Sequence, residues 1–148
     1  MNTLIVVSAA LAINGGVANP TPHYCLRLVR EVVEHALGWE PNEFYRVFWT
    51  HRVEENTTGE PFARDLERSM RHAGLQVATP RSGDLVFNHR IAWPYGHAGI
   101  MLSSMLVLDV WPNATGPPLR VTPVWEWAPT TVIRLPASLD ARVIGRQP

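Results

Sequence analysis

Cys25 is the single cysteine of a 148-residue chain, and it opens a helix-patterned run, Thr21-Pro22-His23-Tyr24-Cys25-Leu26-Arg27-Leu28-Val29-Arg30. Two glycine-led extended segments stand downstream, Gly83-Asp84-Leu85-Val86-Phe87 and Gly96-His97-Ala98-Gly99-Ile100, and Asp109 follows His97 by 12 residues. A thiol is mostly protonated at neutral pH, and the free N–H groups of a helix start favour the thiolate. An imidazole that shares the thiol proton completes a nucleophile, and a third polar group fixes the ring's tautomer and orientation. Cys25, His97 and Asp109 supply these three types, with Asn113 as the fallback for the third. Read alone, Cys25 is a small inert hydrophobe of the core; His97 and Asp109 give it a chemical reading.

These groups must meet in space. A hairpin turning at Ser103-Ser104-Met105 brings His97 and Asp109 near the same end of two paired strands, within reach if they share a face. The helix that begins near Cys25 would then pack on that sheet. Thr21 can cap this helix, Pro22 suits its first position, and Cys25, Leu28, Val29, Val32 and Ala36 recur at spacings of three and four before Gly38 ends it. The segment from Trp39 to Thr58 reads as a short helix followed by a polar loop. Another helix starts near Pro61, with Phe62, Ala63, Leu66, Met70 and Ala73 on its apolar face and Arg64, Asp65, Glu67, Arg68 and Arg71 on the other; Gly74 stops it. Taken together, 39–79 reads as a variable insertion with one helix. After Pro80 the period becomes extended, predicting strands near Asp84–Asn88, His97–Leu102, Leu106–Val110, Leu119–Val124 and Thr131–Leu135. Helices first and antiparallel strands afterwards define an α+β class. Residues 111–118, rich in proline, form a connecting loop.

Composition bounds the rest. With 46% hydrophobic and 18% charged residues, the chain has the apolar content of one domain. Thirteen basic residues, all arginine, balance thirteen acidic ones, which sets nucleic-acid binding aside. One cysteine cannot make an internal disulfide, so location stays open. The apolar segment from Leu4 to Ile13 is too short to span a bilayer. It suits a first buried helix ending at Gly15-Gly16; a signal peptide is the other reading, opposed by the lack of positive charge in Met1-Asn2-Thr3.

Other residues carry bland readings. His23 points about 200° away from Cys25 on a helix, so it reads as a capping or solvent-side group. His89 could line a cleft or simply be exposed, and His35, His51 and His72 have no identifiable partners. One cysteine and scattered histidines lack zinc-ligand spacing, so no metal is expected. Trp93, Trp111, Trp125 and Trp127 read mainly as core-completing aromatics. Asp84 is expected to shape the turn before its strand.

The arrangement of Cys25 at a helix start, the Gly83-Asp84 strand, the Gly96-His97-Ala98-Gly99 strand and Asp109 on the next strand resembles the papain-like cell-wall hydrolases, the NlpC-type peptidases and their CHAP amidase relatives. The resemblance covers roughly Thr21 to Asp109. It implies N-terminal helices packed on a C-terminal antiparallel sheet, a Cys25-His97-Asp109 triad without cofactor, and cleavage of amide bonds in peptidoglycan peptides. Tyr24, Trp93 and Tyr95 would border the substrate. The chain departs from the family pattern at Tyr24-Cys25-Leu26-Arg27, where NlpC-type members have Asp-Cys-Ser-Gly. Two other classes compete: a non-catalytic structural or binding module of the same fold, in which Cys25 is unreactive, and a thiol acyltransferase or deamidase using the same dyad.

Overall fold

The computed structural model describes residues 5, 24–50, 61–90, 95–110 and 119–136, with Tyr24 by its backbone alone. The expected signal segment or first helix (apart from Ile5), the caps Thr21 and Pro22, His23, His51, Trp93, Trp111 and Asn113 lie outside the described residues.

Helix α1 spans Tyr24–Leu37. Its expected stripe of Cys25, Leu28, Val29 and Val32 is buried, widened by Leu26 and Val33. It stops where glycine can take the left-handed conformation, Gly38 at φ +64. Helix α2, Glu43–Phe48, turns Phe44, Tyr45, Val47 and Phe48 inward. Asn42, which precedes it, makes no side-chain cap. Instead the buried Glu34 of α1 accepts the Phe44 N–H at 3.1 Å, so one helix supplies the missing partner of the next. Burial raises the Glu34 carboxyl against the opposing pull of that N–H and of Arg30.

Helix α3, Ala63–His72, buries Ala63, Leu66 and Met70 as its periodicity requires. Asp65 and Glu67 depart from their expected solvent-facing positions, being only 1% and 3% exposed. They flank the Phe62-Leu66-Met70 stripe, and Glu67 is drawn in by the Thr131 hydroxyl, which donates to its Oε1. Gly74 ends the segment at φ +76.

Six strands follow: β1 Gln76–Val77, β2 Leu85–Asn88, β3 His97–Met101, β4 Leu106–Val110, β5 Leu119–Pro123 and β6 Thr131–Ile133. They form one sheet in the order β1-β6-β2-β3-β4-β5, with every pair antiparallel. The stretch 39–79 thus holds both a short helix and the helix near Pro61, more than the single helix of a variable insertion, and an edge strand that was not expected. The fifth strand stops earlier than its sequence suggests because the chain coils at Val124 into a short helix, α4, Val124–Trp127.

Both faces of the sheet are covered, which is why its central strands read as apolar runs with little alternation. Leu85, Phe87, Ala98, Ile100, Leu108, Val110 and Ile133 pack with the helices α1 to α3. Val86, Met101, Val107 and Val132 point the other way and pack around Trp127. The chain is therefore an α+β structure with helices laid on an antiparallel sheet. Among the described residues no helix is long and apolar enough to cross a membrane.

Candidate active site

The β3–β4 hairpin sets Gly99 opposite Asp109. Its centre is therefore Ser104, inside the expected turn. Side chains alternate along a strand, so His97, two residues before Gly99, shares the face of Asp109. His97 Nε2 lies 2.6 Å from Asp109 Oδ2, and both residues are buried, at 3% and 0% exposure. An ionised carboxylate only accepts, so Nε2 carries the hydrogen of this bond.

Cys25, near the start of α1, lies close enough to the same imidazole for its sulfur to favour the protonated ring. With Nε2 committed to Asp109, Nδ1 is the nitrogen that remains for the sulfur. Cys25 belongs to the helix-side core and His97 points toward the opposite face. Each stands at the beginning of its element, Cys25 second in α1 and His97 first in β3. Burial opposes charge on the imidazole, but the Asp109 carboxylate and the Cys25 sulfur outweigh it and push the ring up to about 9. Burial likewise opposes the Asp109 charge, and the hydrogen bonds from His97, Arg120 and Trp127 overcome it, holding this carboxyl below its usual range.

Two partners of Asp109 were not anticipated. Trp127 donates its Nε1–H to Oδ2 at 2.9 Å, and its ring stacks on His97 with centroids 5.4 Å apart and planes inclined by 27°. One indole thus constrains both the carboxylate and the ring that it orients. Arg120, on the neighbouring strand β5 and directly opposite Asp109, donates Nε to Oδ1 at 3.2 Å and a second N–H to Oδ2 at 3.3 Å. Trp127 is held in turn by Asn88, whose side-chain amide donates to the carbonyls of Trp127 at 3.4 Å and Ala128 at 3.0 Å. Gly99 makes the room: a Cβ there would stand 3.3 Å from Trp127 Cζ2, 2.9 Å from the Leu108 carbonyl oxygen and 2.8 Å from Val107 Cγ1.

The remaining candidates scatter. Tyr95 is 40% exposed and packs on Phe62, ring centroids 4.8 Å apart, two residues before His97. Trp93 and the Tyr24 side chain lie outside the described residues. Trp125 is 64% exposed and does not complete the core as expected. Asp84 shapes its turn by accepting the Arg81 N–H at 2.8 Å, and it also holds Arg134 through contacts of 2.9 and 2.7 Å. His89 accompanies Glu67 and Thr130 at the rim of a cleft beside α3. Among the described residues no group of three or more His, Cys, Asp or Glu side chains is arranged to hold a metal ion.

No protein-family model, curated protein or solved structure matches this chain.

Proposed function

We propose that this protein is a cysteine hydrolase with a papain-like core, cleaving amide bonds in peptidoglycan peptides. The observation that carries the reading is that the buried Cys25 stands beside the buried, hydrogen-bonded His97–Asp109 pair. A sulfur beside an imidazolium is the arrangement that turns a thiol into a nucleophile. Cys25 Sγ attacks the scissile carbonyl carbon, and the C–N bond breaks as His97 Nδ1 delivers its proton to the leaving amine. Water, deprotonated by the same nitrogen, then releases the acid and restores the thiol. Asp109 keeps Nε2–H engaged, which leaves Nδ1 directed at the sulfur throughout. The backbone N–H of Cys25, in the first turn of α1, is the natural donor to the oxyanion, where the helix dipole adds to the bond. The peptidoglycan substrate rests on the likeness of the Gly83-Asp84 and Gly96-His97 strands to cell-wall hydrolases.

Cys25→Ala should lower release of new amino groups from purified cell wall by at least about 10³-fold while the circular dichroism stays unchanged. Undiminished release would remove the proposal. A second reading, a non-catalytic module, draws on the 5% exposure of Cys25. Iodoacetamide separates the two: a nucleophilic sulfur is alkylated in the native protein at neutral pH, whereas an inert core thiol reacts only after denaturation.

A further inference from the structure

One face of α3 carries Arg64, Arg68 and Arg71, spaced by four and three residues so that they stand in one row. With Glu67 and His89 they line an open cleft of about 200 Å³. That is room for one side chain or a short stretch of peptide, below the ~300 Å³ at which sites for whole small ligands begin. Among the described residues the acid in the cleft makes no ion pair with Arg68 or Arg71. Glu67 is buried, and its Oε1 receives the Thr131 hydroxyl and lies 3.4 Å from His89 Nδ1. Arg68 is exposed and makes no ion pair or hydrogen bond among the described residues, and Arg71 makes only one, from Nε to Gln76 Oε1 at 3.2 Å. Two guanidinium groups are thus presented to a shared space with most of their donors unspent.

The start of the helix that carries the cleft packs against the chain just before His97. The Arg64 N–H donates to the Tyr95 carbonyl at 3.1 Å, two residues before His97. A Cβ on Gly96 would come within 3.0 Å of that same Arg64 nitrogen, so α3 lies directly on the start of β3. On the other wall, His89 follows Asn88, the residue paired with His97. Asn88, the neighbour of the wall residue His89, is thus one strand spacing, about 4.8 Å, from the backbone of His97.

We propose that this cleft is the subsite for a carboxylate-bearing residue of the peptide substrate, held by Arg68 and Arg71 on one side of the scissile bond. The assignment rests on the hydrolase reading for the word substrate, and on the cleft alone for the carboxylate. A planar guanidinium offers paired donors that match a carboxylate's two oxygens.

The test uses the full chain carrying Cys25→Ala, titrated calorimetrically with a capped peptide of alternating alanine and glutamate and with its glutamine and phosphoserine counterparts. The glutamate peptide should bind about tenfold tighter than the glutamine peptide, the size of one charge-assisted bond. Arg68→Gln with Arg71→Gln should abolish that advantage without moving the thermal midpoint. Equal affinity for the two peptides, binding of neither, or discrimination that survives the double substitution would overturn the assignment. Tighter binding of the phosphoserine peptide would overturn it in favour of phosphate. If discrimination holds but the unsubstituted protein never cuts cell wall, the carboxylate cleft stands and the hydrolase reading falls alone.

Discussion

At the scale of residues, His97 and Asp109 hold each other's charge against burial, which opposes the charged form of both. The imidazole is raised to about 9 although burial disfavours its charge, because Asp109 and Cys25 both favour the protonated ring. In the proposed mechanism the ring's proton goes to the leaving amine, so kcat/KM should fall on the alkaline side as His97 deprotonates near pH 9. Asp109→Asn removes the strongest support of the charged ring. Its alkaline limb should shift to lower pH, with kcat/KM reduced at least about tenfold at neutral pH; an unmoved limb would mean that Asp109 does not govern the ring. His97 and Asp109 were legible in the sequence because a tight hairpin links them, so a separation of 12 fixes their relation once the turn is recognised. Arg120 and Trp127 were not. They reach Asp109 through the next strand and through a helix at the end of that strand, and no local period reports such a contact.

At the scale of elements, the site depends on pieces that repair one another's unfinished ends. Glu34 of α1 accepts an N–H of α2, the Asn88 amide of β2 donates to the carbonyl end of α4, and the Arg134 guanidinium, one residue past β6, clasps Asp84 before β2. The four-residue helix α4 and the two-residue strand β1 are too short to announce themselves by periodicity. The buried acids of α3 were hidden for another reason: a helical wheel ranks positions by polarity and cannot see Thr131 arriving from β6. Gly99 shows how narrowly the second face is filled. Gly99→Ala should destabilise the fold by about 1–3 kcal/mol through overpacking against the Leu108 carbonyl and Val107. It should also lower activity per folded molecule as Trp127 is displaced. Urea midpoints and titrated active sites would read the two effects separately, and a neutral result in both would show that the indole has slack.

At the scale of the whole molecule, one sheet separates a large helix-side core from a smaller one around Trp127, and the candidate site occupies the end where both meet. The pH dependence of stability reports on that meeting point. His97 has a raised pKa when folded, so its contribution is complete below its unfolded value of 6.5 and is lost as the pH rises through about 9. Asp109 is lowered, so its contribution is present above 3.8 and disappears as acid protonates the folded carboxyl. Denaturant midpoints should therefore be highest between these two values and decline toward pH 9; a midpoint that climbs over that alkaline range would contradict the pairing. The α+β class and most strand limits could be read from the change of period after Pro80. The meeting of Cys25 with His97 could only be expected from resemblance, since 72 residues and two further helices separate them.

The central claim, that Cys25 bonds covalently to the acyl half of a cleaved amide, is tested most directly by acid-quenching a reaction on cell-wall peptides and mapping the protein by mass spectrometry. The account predicts a thioester mass on the peptide that contains Cys25, absent in Cys25→Ala and lost again with hydroxylamine. New amino termini appearing at full rate with Cys25 never modified would contradict it.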